Sequence, residues 1–450
     1  MSTRPHLRLG LLFVAGCGAI GAACVMRHTG SEPTAPPVPG APPTSTGPFA
    51  LGVNEGISVP TRLLGQPSGY DSLAADLASD GVELRRLGAR LVRGHSGAFP
   101  RLSQWSLSVD PGRLETEGDT WVRAVQAAEL EPVLMVSPWP ANQTASVTDH
   151  YVPDDLDAYA AYVRRIVERY DADGVDDMPG LRGPVRYYEV DNEPDVKFND
   201  APRGARKPFI PGTFCTPAEY ATVLVTSAQA IRSASPDAKV LAVGLFRPYA
   251  ESGQAYLRAL VAIPGVVEAI DILSQHTYQG EPDGRRMAQG LDASRQILPL
   301  RPVWITESST SLGRGVDAQE QARLVTVLVG VAAVHGAERL FWHTLTDPPA
   351  HTEGPGAGAG GFATNSLMQT LPTGGREDKP AGTVFAHLAR ALATHDLVGA
   401  VADGVGAAKL RDGSVLLWEG ERSAPTGGVL LRTGAPLSAG QRAEAPAFVW

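Results

Sequence analysis

The chain has 450 residues, of which 43% are hydrophobic, and a formal net charge of -9 at pH 7. That length suits one large domain or two moderate ones, and the hydrophobic share excludes a wholly disordered chain. The acidic balance, with no basic stripe, argues against a nucleic-acid partner and fits a neutral, hydroxyl-rich substrate.

The first 28 residues have the layout of an export leader. Arg4, His6 and Arg8 precede an apolar run over 9–15, and small residues follow. Val14-Ala15-Gly16-Cys17 resembles the lipobox of bacterial lipoproteins, so Cys17 is the expected lipidation site. Cleavage after Ala23 without a lipid is the alternative. The apolar run is shorter than the ~20 residues a membrane span needs, so a lipid on Cys17 is the one membrane attachment expected. The expected location is the bacterial cell envelope (outer membrane or periplasm) or, without the lipid, the secreted fraction. Residues 29–48 are rich in Pro, Ser and Thr without an apolar period, which makes a semi-extended spacer. Beyond the leader Cys215 is the remaining cysteine, so no disulfide is expected within the folded part.

From residue 49 to about 397, short apolar runs alternate with amphipathic stretches. Strands are predicted at 49–53, 89–93, 131–137, 185–191, 240–245, 270–275, 302–306 and 339–343. Helices are predicted at 70–87, 121–128, 156–170, 217–234, 254–262, 286–297, 318–335 and 381–393. Thr216-Pro217, with Glu219 in the first turn, is a helix-start signal. The runs 133–136 and 240–245 are apolar at successive positions, as expected of parallel strands buried on both faces. Eight such units predict an α/β fold of the (β/α)8 TIM-barrel type over 49–397. A doubly wound open sheet is the second choice, but Gly52-Val53-Asn54-Glu55-Gly56 is not the glycine-rich phosphate turn it would carry after its first strand. Residues 398–450 hold short strands separated by glycine turns and predict a small C-terminal β appendage.

Two glutamates close apolar runs. Val190-Asp191 leads into Asn192-Glu193-Pro194, and Val303-Trp304-Ile305-Thr306 leads into Glu307. Carboxylates just past the C-terminal ends of barrel strands lie where this fold collects its chemistry. Strands four and seven face each other across the mouth. A pair there matches the needs of acetal cleavage, in which one group protonates the leaving oxygen and another captures the oxocarbenium-like carbon.

With those two glutamates in place, residues 49–393 resemble the retaining glycoside hydrolases of clan A, with families 39 and 5 nearest in pattern. The resemblance implies that Glu193 is the acid/base, that Glu307 is the nucleophile and that Asn192 bonds the sugar 2-hydroxyl. It implies further that His276 and Tyr278, at the end of strand six, stand beside the nucleophile and that Arg93, at the end of strand two, supports it. Trp342, in strand eight, would lie under the sugar, and Trp139, after strand three, would be a second stacking platform. Lys379-Pro380-Ala381 also matches a stretch common in relatives. Asp191 departs from the pattern, standing where many members have Trp or Gly. It reads as a structural hydrogen-bonding group, with an effect on the acid or a contact to substrate as alternatives.

The implied activity is hydrolysis of an oligo- or polysaccharide with no cofactor and no metal. The reading from a different class is a carbohydrate-binding lipoprotein whose glycosidase-like barrel lacks turnover. Transglycosylation stays open, as do the sugar and the linkage. Three weaker motifs are set aside. Gly94-His95-Ser96-Gly97-Ala98 lacks the last glycine of a nucleophile elbow. The glycines of 354–361 lack the lysine of a phosphate cradle and read as a loop over the site. Asp171-Ala172-Asp173-Gly174 lacks the glutamate of a calcium loop.

Overall fold

The structure is a computed structural model that describes residues 47–54, 70–94, 114–138, 152–153, 155–195, 215–278, 283–312, 315–346, 364–371, 375–404 and 406–450. The leader, Cys17, nearly all of the spacer, Trp139 and the glycine loop 354–361 lie outside the described residues. In chain order the first elements are β1 (Ala50–Asn54), α1 (Tyr70–Arg86), β2 (Leu91–Arg93), α2 (Asp119–Ala127), β3 (Glu131–Val136), α3 (Leu156–Glu168), β4 (Tyr187–Val190) and α4 (Pro217–Ala234). There follow β5 (Lys239–Leu245), α5 (Glu251–Val261), the short α6 (Val266–Ala269), β6 (Ile272–Tyr278), α7 (Arg285–Ile297), β7 (Val303–Ser309), α8 (Ala318–Val334) and β8 (Ala337–His343). The eight strands are parallel and close into a barrel, with β8 returning to pair with β1.

The helices start where local chemistry starts them. Thr216 caps α4 in a reciprocal box, its Oγ1 accepting from Glu219 N at 3.2 Å while Glu219 Oε2 accepts from Thr216 N at 2.8 Å. Asp317 caps α8 by accepting from Gln319 N and Glu320 N. Strands β6 and β7 run on through Tyr278 and Ser309, further than their apolar runs predicted, because the polar ends are barrel wall as well.

The core has two main compartments. Between strands and helices lies a large apolar shell. Inside the barrel a smaller cluster holds Leu91, Val133, Tyr187, Leu241, Ile272, Trp304 and Phe341. The rings of Tyr187, Trp304 and Phe341 lie in sequence, 4.8 and 6.2 Å between centroids, and plug the lower barrel. Gly52 makes room for this plug, since a Cβ there would sit 2.5 Å from the Phe341 ring. Above the plug the interior turns polar, and that change sets the height of the site.

After the barrel come the hairpin β9 (Met368–Thr370) with β10 (Arg376–Asp378), and then α9 (Pro380–Ala391). The tail holds β11 (Val401–Ala402), β12 (Ala407–Lys409), β13 (Val415–Leu417), β14 (Glu421–Ser423), β15 (Gly427–Leu430), β16 (Pro436–Ser438), β17 (Arg442–Glu444) and β18 (Ala447–Val449). Six of these form a sheet in the order β11-β12-β13-β18-β15-β16, and β14 pairs with β17. The tail has its own small apolar cluster, including Val415, Leu417, Leu437 and Val449. It is seated on the barrel: the Trp418 ring lies where a Cβ of Gly330 in α8 would be, and His387 Nδ1 in α9 donates to Leu431 O at 2.6 Å. Among the described residues no helix is long and apolar enough to cross a membrane.

Candidate active site

Arg93 is the last residue of β2 and has no solvent exposure. Its guanidinium can only donate, and it does so in four directions. Nε donates to Glu189 Oε2, Nη1 to Glu307 Oε1 at 2.6 Å and to Asn54 Oδ1 at 2.9 Å, and Nη2 to Asn192 Oδ1 at 2.8 Å. Burial opposes the charge, but the fields of Glu189 and Glu307 outweigh it and hold the Arg93 pKa above its ordinary value. Glu189 is equally buried and accepts from Thr306 Oγ1 at 3.1 Å. One cation is thus clamped between a lower carboxylate, Glu189, and an upper one, Glu307.

Glu307 reaches this position through a bulge. The pairing of β7 slips against both β6 and β8 beside Ile305, so Thr306 and Glu307 serve the interior at consecutive positions. The second oxygen of Glu307, Oε2, accepts from the Tyr278 hydroxyl. Both oxygens therefore face donors, an environment that favours the carboxylate.

Glu193 arrives by a different device. Asp191 and Glu193 both adopt left-handed backbone angles, φ 60° and 49°, which turn the chain over the barrel end directly after β4. Each such residue is costly, and buried bonds hold the turn. Asp191 N donates to Val136 O at 2.8 Å, and Ser137 Oγ donates to Asp191 Oδ1 at 3.0 Å. Glu193 Oε1 lies 2.8 Å from His276 Nδ1, which is also 3.6 Å from Glu307 Oε2. Among the described residues His276 Nε2 has no hydrogen-bond partner. A proton on Nδ1 leaves an acceptor rather than an N–H unpartnered, the less costly orphan, so Nδ1–H is assigned as the donor to Glu193. Gly244, at φ +60° in a bulge of β5, clears the space behind: a Cβ there would lie 3.4 Å from both Glu193 N and His276 Nε2.

The side-chain exposure of Glu193 is 20% and that of Glu307 is 6%, so the more accessible carboxylate is the one held by a single histidine. An oxygen of each and a ring nitrogen of His276 lie within 4.8 Å of one another. A cation would fit that spacing. However, Arg93, Tyr278 and His276 already satisfy three of the carboxylate oxygens, so the cluster needs no metal to hold together.

Arg93, Asn192, Glu193, His276, Tyr278 and Glu307 therefore meet at one mouth. Trp342 does not join them. Its ring is fully buried on the outer side of β8, within the shell between strands and helices, and its Nε1 donates to Asn365 O at 2.8 Å. It cannot lie under a sugar from there. The neighbouring inward position belongs to His343, which the sequence reading passed over. Its Nδ1 lies 2.9 Å from Asn54 Nδ2, and its ring meets Tyr278 edge-on at 5.9 Å. Arg93 can only donate, so Asn54 Oδ1 must face it and the Asn54 amide donates to His343, placing the His343 proton on Nε2. Glu189, Asn54 and Asp195 were missed too. Glu189 was legible as a charged residue inside the otherwise buried run Tyr187-Tyr188-Glu189-Val190, which signals an interior ion pair. Lys379, at the start of α9, donates to Thr364 O at 3.2 Å.

No family model matches the sequence, and no curated protein matches it. Among solved structures, a family 39 glycoside hydrolase from Bacteroides cellulosilyticus WH2 aligns over 90% of this chain and 79% of its own, at 16% identity and a TM-score of 0.58. The exo-β-1,4-mannosidase Op5Man5 from Opitutaceae bacterium strain TAV5 aligns over 76% of this chain at 19% identity and a TM-score of 0.53. This chain spans 59% of that mannosidase's length. A monomeric β-xylosidase from Caulobacter crescentus CB15 aligns over 85% of this chain and 75% of its own, at 18% identity and a TM-score of 0.52. At these identities the likeness is one of fold. The chain is a (β/α)8 barrel of the type found in these glycoside hydrolases.

Proposed function

We propose that the protein is a retaining glycoside hydrolase acting on an oligo- or polysaccharide, with Glu307 as nucleophile and Glu193 as acid/base. The observation that carries this reading is the convergence of two carboxylates, within 4.8 Å oxygen to oxygen, in unlike surroundings. Retaining enzymes bring the two carboxyl groups to about 5–5.5 Å, whereas inverting ones leave about 6.5–9.5 Å for a water. Glu307, facing the donors Arg93 and Tyr278, stays ionised and attacks the anomeric carbon. Glu193, with Oε1 held by His276, presents Oε2 to protonate the leaving oxygen. The covalent glycosyl ester on Glu307 is then opened by a water from which Glu193 removes the proton. Asn192 Oδ1 is turned to Arg93, so its amide N–H groups are left to donate to the sugar 2-hydroxyl, a contact that strengthens at the transition state. The mannosidase and xylosidase that share this fold make β-mannosides and β-xylosides the first substrates to try, with a β-glucoside beside them. Export with a lipid on Cys17 belongs to the same proposal, and mass spectrometry of the protein from bacterial membranes tests it.

The deciding experiment is hydrolysis by the full chain of 4-nitrophenyl β-xyloside, β-mannoside and β-glucoside, with Glu307→Ala in parallel. A loss of roughly three or more orders of magnitude is expected for the variant. Turnover that survives Glu307→Ala removes Glu307 from the mechanism. Sugar binding without turnover on any substrate would favour the carbohydrate-binding reading instead.

A further inference from the structure

His343 ends β8, and the mechanism above does not use it. It is half-buried and stands level with Asn54 of β1, while its neighbour Trp342 stands level with Ser308 of β7. His343 is thus higher in the barrel wall than Glu307, on the side from which substrate arrives. A sugar joined through C1 to Glu307 has to fill the space between that carboxylate and solvent, which sets its ring alongside His343 and Tyr278. The rings of these two residues stand at 90° to each other, so they form a corner and not a flat platform. The resemblance to clan A glycosidases implies an indole under the sugar, but here the inward place at the end of β8 holds an imidazole. An indole face offers area for stacking, whereas an imidazole edge offers a directed hydrogen bond.

The imidazole is oriented as well as placed. Arg93 Nη1 donates to Glu307 Oε1 at 2.6 Å and to Asn54 Oδ1 at 2.9 Å, which turns the Asn54 amide to donate to His343 Nδ1 at 2.9 Å. The nucleophile and His343 are referred to the same guanidinium nitrogen, and the His343 proton sits on Nε2 as a donor. Arg93 Nη2 donates at 2.8 Å to Asn192, which follows β4. In the closed barrel β4 and β8 are opposite each other. With the sugar 2-hydroxyl beside Asn192, the substituents that face His343 are those across the ring, at C4 and C5.

We propose that His343 is a specificity-determining residue that donates from Nε2 to a hydroxyl carried at C4 or C6 of the glycone. The proposal deepens the glycosidase reading and rests on it for the pose of the sugar at Glu307. A site that donates to a hydroxyl discriminates against a sugar lacking it, because the bond given up to water on binding is not replaced.

The test takes whichever 4-nitrophenyl β-glycoside of the panel above is turned over fastest and compares its kcat/KM with those of its monodeoxy analogues. Wild type, His343→Asn, His343→Phe and His343→Gln are each read as the ratio of parent to analogue, so a smaller folded fraction cancels. Wild type should prefer the parent to the 4-deoxy or the 6-deoxy sugar about tenfold. His343→Asn keeps an acceptor for the Asn54 amide but does not reach the place of Nε2, and His343→Phe keeps a ring without a donor. Both should bring that ratio to within about twofold of unity. His343→Gln returns an amide N–H near the place of Nε2 and should restore part of the preference. The 2-deoxy ratio, read at Asn192, should stay unchanged throughout. A merely structural His343 would lower kcat/KM for parent and analogues alike and leave every ratio in place, which would overturn the proposal, as would a wild type with no preference at C4 or C6. Should no glycoside be hydrolysed, the same ratios taken from the dissociation constants of the parent and deoxy glycosides decide it. The glycosidase reading fails separately, through full turnover by Glu307→Ala.

Discussion

Arg93 has Glu189 below it, Glu307 above it and the Asn54 and Asn192 amides at its sides, all inside a barrel that admits no solvent to its guanidinium. Replacing it by alanine would strand two buried carboxylates, an error that typically costs about 3–5 kcal/mol. Arg93→Lys is also expected to fail, because an ammonium is a point charge that cannot serve four partners fixed around a planar fork. Both variants should lose at least about two orders of magnitude in kcat/KM, with the fall in stability larger for alanine; denaturant unfolding beside kinetics checks this. A lysine variant with near-wild-type values would show that charge, not the fork, is what the site requires.

Asp195 carries a second prediction at this scale, on stability rather than rate. Burial raises its carboxyl to about 6 from an ordinary 3.8. The stability associated with the protonated form is complete below about pH 4 and is lost as the pH climbs through about 6, because the folded state then holds an ionised group that the unfolded chain would solvate. Asp195→Asn should therefore match wild type near pH 4 and exceed it at pH 8 by up to about 3 kcal/mol. Unfolding curves at the two pH values suffice. An asparagine variant with no advantage at pH 8 would mean that the carboxylate is solvated there after all.

At the scale of elements, β8 shows what the sequence could and could not disclose. Its existence was legible from an apolar run, as were the order of the eight strands and the two exits that carry Glu193 and Glu307. Its phase was not. A parallel strand buried on both faces has apolar residues at successive positions, so hydrophobicity does not say which of Phe341 and Trp342 points inward. The usable signal was His343, because a polar residue at the end of such a run belongs on the side where water and substrate arrive. The β7 bulge was equally invisible, since it is set by pairing with β6 and β8. The phase of β8 makes a paired prediction. Trp342→Phe deletes a buried hydrogen bond to Asn365 O and should cost about 1–3 kcal/mol while leaving KM within a few-fold. His343→Ala should do the reverse, raising KM or lowering kcat/KM about tenfold with less effect on stability, because it empties the mouth beside Tyr278 and releases the Asn54 amide. If Trp342→Phe proved the more harmful to KM, the indole would belong to the site by some route other than contact.

At the scale of the whole molecule, the tail and the barrel are joined through α8 and α9. The tail's own apolar cluster is small, and much of its burial comes from what it leans on. Phe448, Leu416 and Leu431 belong to the shell of the barrel, not to the tail's private cluster. The joint is most specific at Gly330, where α8 gives up a side chain so that Trp418 can approach its backbone. A glycine in the middle of a helix costs about 0.5–1 kcal/mol relative to alanine, so its presence there is explained by the contact it permits. Gly330→Leu should push Trp418 off the helix and destabilise the protein by about 1–3 kcal/mol despite leucine's better helix propensity. Trp418→Ala, at a half-buried ring, should destabilise by about 1–3 kcal/mol through the packing it loses against α8. If the tail folds as part of the barrel, both variants will lower one cooperative transition seen alike by near-ultraviolet and far-ultraviolet circular dichroism. If the tail is only an accessory, Trp418→Ala will split off an early transition and leave the barrel's midpoint in place. Since α8 follows the strand that carries Glu307, the first outcome would also mean that loss of the tail is felt at the mouth, as a fall in kcat well below the unfolding temperature.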